Sequence, residues 1–261
     1  MIDLPSTRDV GRTLDISITR ILIRADMRDR GFPTTTPARA SSRRSPFSID
    51  VILFTPRGQQ LAALCVRAND PRARERWLLP HDSAAPGETL DAAARRIAKT
   101  ACGVDATWME QVGAFGDGTR HPADTELSVA FVGVVPSDET VKLPGDGAWF
   151  GVSEPPALAV RQRAMLDAGL DALRTRMDYA PIAFRLLPER FTLSELQAMY
   201  ELLLGKRLHK ASFRRALQAT SLVEATEEWR SEGRGRPAQF FRFAPKKRRG
   251  ARRGVRFDTL T

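Results

Sequence analysis

Lys210, Arg214 and Gln218 recur at every fourth residue, with Ser212 and Arg215 beside them. On a helix that spacing aligns the first three in one row along one face. Arginine or lysine can reach the paired acceptors of a guanine edge, and glutamine can pair with adenine. Phe213, Ala216 and Leu217 fall on the other side, so such a helix would be anchored by one face and offer a basic face to a partner. Downstream, Arg230-Ser231-Glu232-Gly233-Arg234-Gly235-Arg236-Pro237 separates two runs of strand formers, 222–225 and 238–243. A hairpin with that tip can lay Arg234 and Arg236 on phosphates or in a narrow minor groove. The chemistry these residues suggest is recognition of a DNA duplex rather than bond-making.

The elements that must position them are legible upstream. Leu193, Leu196, Tyr200 and Leu203 have helical spacing. Thr192 can cap that helix, with Glu195 three residues on completing a capping box, and Gly205 can end it. A connection at 206–209 then leads into a second helix, 210–220. Two helices with a tight turn followed by a hairpin describe a winged helix-turn-helix. Taken alone, the helical pair also fits an ordinary hairpin with a solvated basic face. The order helix, basic helix, hairpin, basic tail favours DNA. Residues 244–261 hold seven basic side chains against one acidic. Lys246, Lys247, Arg248, Arg249, Arg252 and Arg253 either extend a backbone contact or only solubilise the chain.

The remainder has a different character. Residues 46–189 hold 15 basic side chains against 19 acidic, although the whole chain of 261 residues has a formal net charge of +10. Residues 48–68 read as two strands joined at Pro56-Arg57-Gly58. Leu90, Ala93, Ala94, Ile97, Ala98 and Ala101 predict a helix over 90–101, with Gly103 as its C-cap. Runs at 126–135 and 148–152 read as strands, and 160–177 as a helix with Met165, Leu166, Leu170 and Leu173 on one face. Intermixed strands and helices predict a compact α/β domain. Residues 1–45 lack a sustained period, contain Thr34-Thr35-Thr36-Pro37, and read as a basic, mostly disordered arm. No run approaches a membrane span, and no signal peptide is apparent. The two cysteines, Cys65 and Cys102, read as core residues of a reduced compartment. The expectation is a cytoplasmic protein.

The segment Trp77-Leu78-Leu79-Pro80-His81-Asp82-Ser83-Ala84-Ala85-Pro86-Gly87-Glu88-Thr89-Leu90, running into a helix and Gly103, resembles the Nudix box, GX5EX7REUXEEXGU. Pro86-Gly87-Glu88, Arg96, Gly103 and Val104 fall in register, and Asp82 stands at the first glycine. Nudix hydrolysis needs a hard divalent cation held by carboxylates of the helix. The corresponding residues here are Ile97, Thr100 and Ala101, none of which can serve. Glu88 with Asp91 leaves such a site short of charge. The expectation is a retained scaffold with no catalytic residues, no metal and no hydrolysis. The alternative is an active Nudix hydrolase of ADP-ribose-like nucleotide diphosphates that uses other ligands.

From about 48 to 243 the chain resembles the Nudix-related transcriptional regulators of NAD metabolism. Residues 179–197, YAPIAFRLLPERFTLSELQ, carry the resemblance most specifically, followed by Tyr200-Glu201, Leu204-Gly205, Phe213-Arg214-Arg215 and Gly235-Arg236-Pro237-Ala238. The family implies an α+β chain, a Nudix-like α/β/α sandwich with a mixed sheet followed by a winged helix-turn-helix. It implies a disordered arm (1–45), an effector-sensing domain (46–180), a DNA-binding domain (181–243) and a disordered basic tail (244–261). It also implies a bacterial homodimeric repressor of NAD biosynthesis or salvage genes on a palindromic operator, nucleoid-associated when bound and released by ADP-ribose or a related nucleotide. The DNA-contacting residues would be Lys210, Ser212, Arg214, Arg215, Gln218, Arg234 and Arg236. By analogy the effector would meet Arg57, Arg67, Trp77, Glu88 and Arg120, arginines against a diphosphate and an aromatic against adenine. Two departures stand out. The family's Leu-Ala-Phe-Asp-His segment reads Leu158-Ala159-Val160-Arg161-Gln162 here, and a frequent asparagine of the recognition helix is Ser212. A non-specific nucleic-acid binder with an inert Nudix-like part is the remaining rival.

Overall fold

Aliphatic and β-branched side chains dominate the stretch from Phe47, and two strands form there. β1 (Phe47–Arg57) and β2 (Gln60–Arg67) pair as a hairpin from Phe54↔Ala63 to Arg57↔Gln60. Its turn passes through Gly58 at φ +56, a left-handed conformation that glycine adopts without a Cβ clash. The computed structural model describes residues 46–70, 73–116, 118–137, 143–231, 237–244 and 255. The expectations for the arm 1–45, for Arg234 and Arg236, and for the basic residues 246–253 lie outside them.

β1 is the centre of a mixed sheet ordered β3-β2-β1-β6-β5. β3 is Trp77–Leu78, β4 is His81–Asp82 and pairs with β1, and β5 is Trp108–Phe115. β6 (Leu127–Val134) runs parallel to β1 over eight residue pairs, and β7 (Gly147–Gly151) pairs with β2. Alternation along β1 assigns its two faces. Ile49, Val51 and Leu53 pack with Ala93, Ala94, Ile97, Ala98 and Cys102 of α1 (Leu90–Cys102). Three alanines on that face let the helix lie close to the sheet. Ile52 and Phe54 face the other way, with Met165, Leu166 and Leu173 of α2 (Val160–Arg176). The result is the expected α/β/α sandwich. β5 was not anticipated: Glu110, Gln111 and Gly113 break its apolar pattern.

After Pro181 the chain does not enter a solvated linker. Ile182 and Ala183 are buried at once, and a 3-10 turn, Ala183–Arg185, carries Phe184 into the core. β8 (Arg190–Thr192) leads to α3 (Leu193–Leu204), α4 (Lys210–Thr220), β9 (Val223–Arg230) and β10 (Ala238–Phe243). The three strands form an antiparallel sheet, β8-β10-β9, completing the expected winged helix. Thr192 and Glu195 make the full capping box, and Gly205 caps α3 at φ +69. β9 extends five residues beyond its expected end at 225. Strand pairing with β10 carries Thr226 to Arg230, although their polarity reads as loop.

Met165, Leu173 and Met177 belong to the same apolar cluster as Leu196, Tyr200, Phe213 and Leu217, so α2 and the winged helix share a continuous core. Val255 joins that cluster with no exposed surface. Val255 is the one described residue beyond Ala244, so the expectation of a basic disordered tail over 244–261 otherwise lies outside the described residues.

Candidate functional site

α1 begins at the loop that resembles the Nudix box. Thr89 caps it by accepting from Ala92 N–H at 3.2 Å. Arg96, nearly two turns into the helix, reaches back over this loop. Its Nε and Nη2 each lie 2.9 Å from Glu88, its Nη1 is 2.8 Å from Asp82 and its Nη2 is 2.8 Å from the Ser83 carbonyl. Glu88 also accepts from Ala85 N–H at 2.9 Å. The Arg96 hydrogen bond, then the Ala85 N–H, hold the Glu88 carboxyl below its ordinary range, against a smaller opposing effect of burial. Glu88 is therefore a loop clamp, and Asp82 at the glycine position gives Arg96 a second acid. Ile97 is part of the core at 5% exposure, while Thr100 is exposed and Ala101 half-buried. That face of α1 has no carboxylate to hold a cation.

On the opposite face of the sheet lies a polar network that the sequence analysis did not single out. Asp50 on β1 has no exposed surface. Its Oδ1 accepts from His121 Nε2 at 2.9 Å and from Gln162 Nε2 at 3.0 Å, and its Oδ2 accepts from Ser48 Oγ at 2.8 Å. Burial pulls the Asp50 carboxyl up, but the His121 hydrogen bond, electrostatic attraction to the two histidine rings and the Gln162 amide outweigh it and leave it lowered. Gln162 Oε1 accepts from Leu79 N–H at 3.1 Å, and Arg161 donates to the carbonyls of Thr125 and Thr119. The two residues standing where the family has Asp-His are thus both buried and tie α2 to the loops above the sheet. The sequence signal was that departure, together with two of the chain's three histidines, His81 and His121.

Asp50, His81 and His121 are the one group among the described residues whose ligand atoms gather within 4.8 Å. Ala123 N–H donates to His121 Nδ1 at 3.1 Å, so the His121 proton sits on Nε2, facing Asp50. A metal at Nε2 would need that proton on Nδ1, against a backbone donor. As folded, the trio fits a metal poorly and closes as a hydrogen-bonded network.

Two of the expected effector residues come together. The Arg67 guanidinium lies 5.2 Å above the Trp77 ring, which meets Phe150 edge-on at 4.8 Å. Arg120 is exposed, 4.0 Å from Glu75, two residues ahead of Trp77. Arg57 lies elsewhere, in a cavity of about 190 Å³ with Thr55, Cys102 and Trp149. That cavity is at the C-terminal end of α1, whereas Glu88 is at the other end, roughly 18 Å away along a 13-residue helix.

In the winged helix, Phe213 and Leu217 of α4 are buried, while Lys210, Arg214, Arg215 and Gln218 are exposed. Ser212 is half-buried, with its Oγ 3.3 Å from His209 Nδ1. None of the three cations has an ion-pair partner among the described residues. Glu201 orders the turn before α4, accepting from Leu208 N–H at 3.0 Å and Gln197 Nε2 at 2.9 Å.

Fold and site define a Nudix-like domain followed by a winged helix whose second helix offers a basic face. Comparison with known proteins agrees. Residues 44–168 match the NUDIX domain, and residues 183–243 match the NrtR DNA-binding winged helix domain. The chain is 27% identical over 204 residues to the ADPR responsive transcriptional repressor NtrR of Acinetobacter baylyi, covering 76% of this chain and 81% of that one. It is also similar to Shewanella oneidensis NrtR complexed with a 27mer DNA, at TM-score 0.65 and 27% identity, covering 77% of this chain and 94% of that one. A MutT/nudix family protein from Enterococcus faecalis shares the fold, at TM-score 0.61 and 17% identity over 76% and 87% of the two chains. The chain thus carries a NUDIX match followed by an NrtR winged-helix match, in that order.

Proposed function

We propose that this protein is a transcriptional repressor that binds operator DNA through its winged helix and is released by ADP-ribose or a related nucleotide, which its Nudix-like domain holds without hydrolysing. The observation that carries the reading is α4. One face is locked into the core by Phe213 and Leu217, and the other presents Lys210, Arg214, Arg215 and Gln218, whose three cations have no ion-pair partner among the described residues. Arg214, Arg215 and Gln218 would read base edges, with Lys210 and Ser212 near the backbone and Arg234 and Arg236 completing the contact from the wing.

Arg67 over Trp77, with Arg120 nearby, offers an aromatic face for adenine and cations for a diphosphate. Arg57 and Glu88 would act apart from that cluster, Glu88 by holding the loop. The absence of hydrolysis rests on Ile97, Thr100 and Ala101 and on the engagement of Glu88 with Arg96. A homodimer would set two α4 helices about 34 Å apart, or a multiple of that, on a palindromic operator near NAD biosynthesis or salvage genes. No helix among the described residues is long and apolar enough to cross a membrane, and a cytoplasmic, nucleoid-bound protein is consistent with that.

The test is fluorescence anisotropy on upstream fragments of NAD genes against scrambled duplexes, with and without ADP-ribose, and chromatography of the nucleotide after incubation with Mg²⁺ or Mn²⁺. Selective binding that ADP-ribose weakens, with the nucleotide recovered intact, is expected. Turnover abolished by Glu88→Gln would overturn the non-catalytic part, and equal affinity for scrambled DNA would overturn the repressor.

A further inference from the structure

Between the sandwich and the winged helix lies a groove of about 690 Å³, lined by the β1–β2 turn, the end of α2, one face of α3 and the α3–α4 turn. We propose that it is a second binding site, for a phosphate-bearing metabolite about the size of a mononucleotide. Its volume falls within the usual range of small-molecule sites, and a duplex could not enter a groove of this size.

The charges give the chemical class. Two acids line the groove, and both are already engaged. Glu195 accepts from Thr192 N–H and Arg230 Nη1, each at 2.7 Å. Glu201 accepts from Leu208 N–H, Gln197 Nε2 and, at 3.1 Å, Arg207 Nη1. The remaining cations are Arg174, from α2, and Lys206, from the α3–α4 turn. Neither has an ion-pair partner among the described residues. The Arg174 Nε is buried and has no hydrogen-bond partner there. The guanidinium lines the groove, and its terminal nitrogens can take two phosphate oxygens at once. Leu170, Met199 and Leu202 supply an apolar strip for the organic part of the ligand. Gly205 leaves room for the guanidinium where it lies, since a Cβ there would stand 2.8 Å from Arg174 Nη2. The site is separate from the Arg67–Trp77 cluster and does not rest on the reading of that cluster. A ligand in it would touch the sandwich and the reader at once, and could therefore bias DNA binding.

The experiment is calorimetric titration of the full chain with inorganic pyrophosphate, with saturating ADP-ribose present and sulfate at equal ionic strength as control. Saturable binding of one pyrophosphate per chain is expected. Arg174→Met should weaken it about tenfold or more and Arg174→Lys should restore part of it. Lys206→Ala, at an exposed position, should weaken it as well and serves if Arg174→Met does not fold. Undiminished binding in these variants would overturn the proposal, as would no saturable heat in the unaltered chain up to about 10 mM. So would loss of pyrophosphate binding in Arg214→Ala and Arg215→Ala as large as in Arg174→Met, which would assign the binding to the exposed face of α4. Dependence on Arg174 in a chain that ignores ADP-ribose would leave this site standing while the proposed effector fell.

Discussion

Adjacent residues on α4 allow the reading to be tested by separating folding from recognition. Arg214 is exposed and has no ion-pair partner among the described residues, so Arg214→Ala removes no internal contact and should change stability by no more than about 0.5 kcal/mol. If its guanidinium reaches a base edge, the same change should cost about 1–3 kcal/mol of operator affinity, a loss of roughly 5- to 150-fold. Phe213 has no exposed surface and its ring lies 5.7 Å from that of Tyr200. Phe213→Ala should therefore destabilise the fold by about 3–5 kcal/mol through the cavity it leaves. The assay pairs urea unfolding with anisotropy on operator and scrambled duplexes. Arg214→Ala and Arg215→Ala should leave the melt in place and raise the operator Kd, and at least one should narrow the gap between operator and scrambled DNA. If both keep the unaltered Kd on a folded protein, α4 is not the reading helix. If Arg214→Ala shifts the melt as Phe213→Ala does, the assignment of faces is wrong.

Arg96→Met should free Glu88, Asp82 and the Ser83 carbonyl together, so calorimetry should find ADP-ribose affinity reduced several-fold while operator binding without nucleotide stays within about twofold; unaltered nucleotide affinity would remove the loop from the effector site. Ile97→Glu should lower stability by about 3 kcal/mol or more, because it places a carboxylate in the α1 core, whereas Thr100→Glu at an exposed site should stay within about 0.5 kcal/mol. Equal melting shifts for the two would contradict the helix orientation. Asp50 has a lowered folded pKa, so in acid the unfolded chain binds more protons there. Its stabilisation is present above the ordinary carboxylate value of about 3.9 and is lost as pH falls through the lower folded value. Asp50→Asn should flatten that part of the stability profile, and an unchanged slope would refute the assigned direction.

Legibility in the sequence followed the strength of local patterns. α1 and α3 stood out because period and terminal signals agreed within one segment, as Thr192, Glu195 and Gly205 do around α3, while α4 and β10 were read from spacing and strand formers. β5 and the outer half of β9 did not, since their polar residues are carried by pairing with distant strands. The basic face of α4 could be read from spacing alone. The effector residues could not be placed together, because their proximity is a property of the sheet: β2 and β3 bring Arg67 to Trp77 ten residues on, while the same sheet sends Arg57 to the far end of α1. The Asp50–His121–Gln162 network joins residues up to 112 positions apart, and no local pattern marks it. A departure from the family at Arg161 and Gln162 was visible, but the meeting of Gln162 with Asp50 and the Leu79 backbone needed three dimensions.

That network bears on how sensing could reach DNA. A nucleotide releases DNA only if it binds the DNA-incompetent arrangement more tightly, and reversing a 99:1 population takes about 5.5 kcal/mol of such preference. Hydrolysing the nucleotide would erase the signal, so a sensor gains from the loss of carboxylates on α1 while Arg96 still holds the loop. Gln162 ties the start of α2 to Asp50 and to the Leu79 backbone, two residues from Trp77. The end of α2 carries Leu173 and Met177 into the core of the winged helix. A tightly packed core does not deform smoothly, so a shift at one end of α2 has to be met by repacking at the other. If the chain senses a nucleotide as proposed, α2 is the element that touches both the loops near Trp77 and the core of the winged helix, and the residues at its first turn, Arg161 and Gln162, are where such a route would start.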